Sequence, residues 1–113
     1  METTELALLD TGAEWSVIGG ELSEILENQI GFPEESFSMS TRLGKIFGSL
    51  YRINISLSAE FGYDLTVESS VFVSQEWNGP VVLGYRGFLE RIRFAFDPGI
   101  VPGEQIFYFG IPD

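Results

Sequence analysis

An apolar run, Leu6-Ala7-Leu8-Leu9, ends at Asp10-Thr11-Gly12. This is an unusual setting for a carboxylate. The run reads as a strand that draws Asp10 towards the interior, where an isolated charge is costly. Three roles suit an aspartate so placed. It caps a turn, accepting backbone N–H bonds. It ligates a hard metal ion, although no second acid stands at a ligand spacing such as D-x-D. Or it shares its site with another carboxylate. Two carboxylates in contact do not both ionise, so one keeps a proton. Such a pair holds a base beside an acid and suits the activation of water against an amide carbonyl.

The other residue types narrow the chemistry. The 113 residues include no Cys and no His. Disulfides, thiolate nucleophiles, Ser–His or Cys–His catalysis and Cys/His zinc sites are therefore excluded. The acids and bases that remain are 17 carboxylates, four tyrosines, five arginines and Lys45. If the chain is an enzyme, the carboxylates are expected to do its proton transfer.

The elements that must position Asp10 follow from hydrophobic periodicity. Leu6–Leu9 is expected as a buried strand ending in the Asp-Thr-Gly turn. Trp15, Val17 and Ile18 return the chain to the core, and Gly19-Gly20 breaks it. Leu22, Ile25, Leu26 and Ile30 fall at helical spacing, with Glu21, Glu24 and Glu27 opposite. That pattern predicts one amphipathic helix of about three turns, stopped by Gly31-Phe32-Pro33. From Phe37 the period changes. Tyr51, Ile53, Ile55 and Leu57 alternate with polar residues, as in a strand with one buried face. Leu65–Val67 and Val71–Val73 read as two further strands. Pro80–Gly84, wholly apolar, reads as a central strand buried on both faces. A short helix is expected across Arg86–Glu90, then a strand over Arg91–Phe96 with Ile92, Phe94 and Phe96 inward. Asp97–Glu104 reads as a loop, and Ile106–Phe109 as the last strand. The chain is expected to be mostly β, with one amphipathic helix and one short helix towards the C-terminus.

Length and composition set the outer bounds. The chain matches one small domain, able to bury about 65% of the surface its unfolded form exposes. It is 44% hydrophobic and 20% charged, a globular balance. Net charge is −11 and unevenly spread: residues 1–36 hold nine acids and no base, and all six bases lie between Arg42 and Arg93. Like charges repel, so nucleic acid and anionic membrane surfaces are not expected partners. The run Met1-Glu2-Thr3-Thr4-Glu5 lacks the basic start of a targeting segment, and no apolar stretch approaches a membrane span. A soluble, cytoplasmic protein is expected.

Leu8-Leu9-Asp10-Thr11-Gly12-Ala13, followed about 70 residues later by Val81-Val82-Leu83-Gly84 and a short helix, resembles the retropepsin-like aspartic proteases. These are the single-lobe relatives of pepsin, the retroviral proteases among them. The resemblance covers nearly the whole chain. It implies one lobe over residues 1–113, folded as a small acid-protease β-barrel. The Asp-Thr-Gly turn supplies one catalytic carboxylate, and the apolar-apolar-Gly strand passes beside it. A glycine-containing hairpin, here Arg42–Ser49, forms a flap over the substrate.

The resemblance also implies roles residue by residue. Asp10 is the expected catalytic carboxylate. Thr11 locks the turn to its copy, and Gly12 lets backbone approach carboxylate and substrate. Ala13 lines the groove beside the turn. Glu14 stands where retroviral members commonly carry an Asp paired with an Arg; either Arg86 is its partner, with Tyr85 intervening, or Glu14 is simply exposed to solvent. Trp15 is either a groove wall or a core residue. Gly44 and Gly48 frame the flap, and Ile46 and Phe47 at its tip are expected to touch substrate. No metal and no cofactor are implied.

Only one Asp-Thr-Gly is present. Asp97-Pro98-Gly99 is no second copy, because Pro98 has neither hydroxyl nor N–H. A dyad therefore requires a homodimer with a two-fold axis between two copies of Asp10. Only nine residues precede Asp10, so the family's N-terminal strand is expected to be lacking: either the sequence is a trimmed or mis-started version, or Ile106–Phe109 carries the interface alone. The expected function is aspartic endopeptidase acting on peptide or protein substrates. The alternatives are a non-catalytic dimerisation or peptide-binding module of the same fold, and an acidic decoy that mimics nucleic acid.

Overall fold

A computed structural model describes residues 5–27, 33–41 and 44–112. Strands dominate. In chain order they are β1 (Ala7–Leu9), β2 (Ser16–Ile18), β3 (Glu35–Thr41), β4 (Gly44–Leu57), β5 (Leu65–Val73), β6 (Val81–Leu83), β7 (Arg93–Asp97) and β8 (Ile106–Gly110). Helix α1 (Gly20–Glu27) follows β2, and a single 3₁₀ turn covers Leu89–Arg91.

Six strands form one sheet in the order β1-β6-β2-β5-β4-β3. β6 runs parallel to β1 and antiparallel to β2, so it threads between the two strands that the Asp-Thr-Gly turn connects. β2 continues parallel to β5, with Ile18 opposite Val73. β7 and β8 pair only with each other, as an antiparallel hairpin. No closed barrel forms among the described residues, which corrects the expected barrel. β1 and β3 lie at opposite ends of an open sheet, and the β7–β8 hairpin does not join them.

Alternation along the strands sorts the core onto two faces. On one face Ile18, Tyr51, Val71 and Val73 bury against Leu22 and Leu26 of α1. The same face continues through Val67 and Leu83, beneath Phe88, Leu89, Ile92 and the inner phenylalanines of the β7–β8 hairpin. Those rings stack along the hairpin: Phe107 lies 6.2 Å from Phe94 and 5.7 Å from Phe109. On the other face Val17, Leu50, Phe72 and Val82 are buried, with Ala13, Trp15, Met39, Ile46 and Trp77 packed against them.

The structure revises several expected elements. β1 is exposed rather than buried: Leu6 is 95% and Leu8 53% accessible. It is the outermost strand and pairs with β6 alone, so one flank of it lacks a neighbour among the described residues. The two strands expected over 65–73 are one. Ser69 and Ser70 are buried in it, the Ser69 hydroxyl donating to the Val67 carbonyl and the Ser70 N–H to the Gly87 carbonyl. Small side chains with internal partners let a polar stretch run through a core strand. α1 covers Gly20–Glu27 among the described residues, with Ile25 exposed; Ile30, Gly31 and Phe32, at the expected end of the helix, lie outside the described residues. The expected helix over Arg86–Glu90 is the 3₁₀ turn three residues later, and Phe96 is half exposed. Tyr51–Leu57 alternates as expected, and β6 is a central strand as expected.

Candidate active site

The Asp10 turn is built almost entirely from backbone hydrogen bonds. The Asp10 N–H donates to the Leu83 carbonyl at 3.0 Å, extending the β1–β6 ladder by one rung. The Ala13 N–H closes the turn on the Asp10 carbonyl at 3.1 Å. The Gly12 N–H donates to Asp10 Oδ1 at 2.9 Å, so the carboxylate accepts a bond within its own turn. Beyond the turn, Tyr85 N–H donates to the Ala13 carbonyl and Arg86 N–H to the Glu14 carbonyl, at 2.9 and 2.8 Å. The turn is thus tied on both flanks to the strand that threads beneath it.

Gly84 makes that threading possible. A Cβ there would sit 2.6 Å from the Trp15 carbonyl oxygen and 2.8 Å from that of Ala13. Its N–H donates to the buried Ser16 hydroxyl at 2.9 Å. Any larger residue would push β6 away from the segment that leaves the aspartate.

The carboxylate of Asp10 is exposed, and so are Thr11 and Gly12. Ala13 is half buried and packs on the face that holds Val17, Phe72 and Val82. Glu14 and Arg86 form an ion pair of 2.9 Å, both side chains more than half exposed. The guanidinium also lies 4.7 Å from the centre of the Trp15 ring, a cation–π contact. Trp15 itself is half buried, between groove wall and core. Arg86 therefore clasps the exit of the turn through backbone, charge and ring face together.

The local turn alone does not single out Asp10. Asp97 Oδ1 accepts the Gly99 N–H at 2.9 Å in the same way, at the exposed end of β7. The surroundings differ: Asp10 follows β1 and is tied to the threaded strand β6, beside an apolar face.

The β3–β4 hairpin lies on that face. Ile46 packs against the same buried cluster as Ala13, Trp15, Met39 and Trp77. Register places Thr41 opposite Gly44, the last pair of the β3–β4 ladder. Arg42 and Leu43 lie outside the described residues. Ile46 and Phe47, expected at the tip, stand back along β4, because the ladder begins directly at Gly44. Phe47 is 66% exposed. Gly48 is pressed against the end of β5: a Cβ would meet the Val73 carbonyl oxygen at 2.4 Å and Ser74 Cβ at 2.9 Å. It serves close approach of strands rather than the hairpin tip.

Met39, Ser74, Glu76 and Trp77 join this region without having been singled out from the sequence. Trp77 lay between two expected strands, and its approach to the hairpin depends on the turn after β5. Among the described residues no cluster of three or more acids is placed to hold a metal ion. No helix among them is long and apolar enough to cross a membrane. A cavity of about 1010 Å³ opens between residues 58–63 and the β7–β8 loop, lined in part by Phe61, Tyr63, Ile100 and Tyr108, away from Asp10. No family model, curated protein or solved structure matches the chain.

Proposed function

We propose that this chain is a retropepsin-like aspartic endopeptidase that works as a homodimer. One observation carries the reading: a single exposed aspartate sits on a turn tied to a threaded strand by backbone bonds at Asp10, Ala13 and Glu14. Exposure is what a shared site requires. A carboxylate open on one chain is available to face its copy across a two-fold axis.

In that dimer the two Asp10 carboxylates, in contact, would hold one proton between them. The ionised member takes a proton from a bound water as the oxygen attacks the scissile carbonyl carbon. The protonated member donates to the carbonyl oxygen, giving a neutral gem-diol. Collapse with proton transfer to the amide nitrogen releases amine and acid, and the shared proton returns. No covalent intermediate forms. The substrate lies extended along the face of Ala13, Trp15, Ile46 and Trp77, which favours apolar side chains beside the cleaved bond.

The test is cleavage of a mixed peptide library by purified protein of measured oligomeric state, with Asp10→Asn in parallel. Cleavage by the wild type alone, only where dimer is present, supports the reading. Cleavage by a monomer at nanomolar concentration overturns the dyad.

The open flank of β1 favours a second reading, a non-catalytic module that dimerises or adds a peptide strand at that edge. Equal peptide binding by both proteins with no cleavage by either selects it.

A further inference from the structure

The β3–β4 hairpin leaves the sheet at a defined point. β4 pairs with β5 from Ser49 to Leu57 and with β3 from Gly44 to Leu50. Residues 44–48 therefore extend beyond the end of β5 as a two-stranded ribbon. In an antiparallel ladder, each residue turns both backbone groups towards the same neighbour. At Phe47 they face the side that β5 has vacated.

Two side chains take the place of the missing strand. The Ser74 hydroxyl donates to the Phe47 carbonyl at 2.6 Å. Glu76 Oε1 accepts the Phe47 N–H at 2.7 Å. The Glu76 N–H donates to Ser74 Oγ at 3.2 Å, joining the two into one unit. The turn that brings them there is closed by the Trp77 N–H on the Ser74 carbonyl, and the Ser74 N–H donates to the last carbonyl of β2, that of Ile18. Gly48 permits the approach, as its absent side chain leaves room for Val73 and Ser74. β2 is the strand that leaves the Asp10 turn. A short run of hydrogen bonds thus connects that strand to the base of the hairpin.

We propose that Ser74 and Glu76 form a side-chain latch that sets the pose of the β3–β4 hairpin, making Glu76 a positioning residue for whatever peptide the hairpin covers. The latch itself rests on these contacts; its effect on turnover rests on the proteolytic reading. Both latch bonds fall on one residue, so the ribbon beyond Phe47 pivots there when they open. Glu76 is exposed and contributes to no core cluster, so its replacement removes an acceptor without a cavity.

Amide hydrogen exchange at Phe47 tests the latch without needing activity. Glu76→Ala is expected to speed exchange of the Phe47 amide by about tenfold, the scale of one charge-assisted hydrogen bond. Amides of Ile53 and Ile55 in the β4–β5 ladder are expected to keep their rates. Glu76→Gln retains an acceptor oxygen and is expected to restore slow exchange; Ser74→Ala is expected to speed it. For a cleaved peptide, Glu76→Ala raises KM about fivefold with kcat within twofold, and Glu76→Gln reverses this. Unchanged Phe47 exchange in Glu76→Ala, or no recovery in Glu76→Gln, overturns the latch, even if peptides are cleaved. Latch-dependent exchange in a protein that cleaves nothing supports the latch and removes the proteolytic reading.

Discussion

Asp10 owes its position to backbone chemistry. Its own N–H, its carbonyl and one carboxylate oxygen each have a partner inside or beside the turn. Asp10→Asn keeps the shape and the Gly12 acceptor but cannot take a proton from water. We expect it to lower cleavage by about 10³-fold, in line with the loss of a general acid–base group. Initial rates on a fluorogenic apolar peptide measure this. Asp97→Asn is the matched control, since Asp97 makes the same turn bond without the threaded strand, and its rate is expected to equal that of the wild type. Asp10 was legible in the sequence because an apolar run delivering an acid into a Thr-Gly turn is a local pattern. Its likeness to Asp97 shows why the local pattern is insufficient: the same carboxylate-to-Gly N–H bond forms at Asp97–Gly99, away from the threaded strand.

At the scale of elements, the decisive feature is β6 between β1 and β2. Gly84→Ala would place a methyl against two backbone carbonyls that cannot rotate away. The expected cost is about 2 kcal/mol or more of folding stability, read from urea denaturation. Phe72 belongs to the opposite face of β5 from Val71 and Val73 and is fully buried. Phe72→Ala is expected to cost about 3–5 kcal/mol. Ile25→Ala, on the exposed side of α1, is expected to stay within about 0.5 kcal/mol. A large loss at Ile25 would show that α1 packs differently. The helix, β4 and β6 were readable because their periods are local. The joining of 65–73 into one strand was not, because buried serines look like loop residues until their partners are known. β1 misled in the opposite direction: four apolar residues suggested burial, yet an outermost strand has only one covered flank.

At the scale of the whole molecule, charge opposes self-association. Each chain carries −11, and two chains meeting through their Asp10 turns bring that charge together. Raising ionic strength from low to physiological shortens the Debye length to about 8 Å. The dimer dissociation constant from analytical ultracentrifugation is therefore expected to fall as salt is added. A constant that rises with salt would mean that attractive ion pairs hold the interface. Lowering the pH protonates carboxylates and acts in the same direction. For the proposed dimeric protease, activity is accordingly expected to peak at mildly acidic pH and moderate ionic strength, where repulsion between the chains is reduced. A rate still climbing at pH 8 would be incompatible with a shared-proton pair.

Residue types and local spacing were enough to establish which chemistries are closed to this chain, that carboxylates are its most numerous acid–base groups, and that strands with one amphipathic helix make the fold. Those properties depend on composition or on neighbours within a few positions. The resemblance implied a strand beside the Asp10 turn and an Arg86 partner for Glu14; the open sheet in place of a barrel and the contact of Arg86 with the Trp15 ring came from packing. So did the Ser74–Glu76 contact with Phe47. Each joins residues far apart in the chain, and periodicity carries no information about which distant partner a strand or side chain will meet. Burial and hydrogen-bond satisfaction settle that choice over the folded molecule at once.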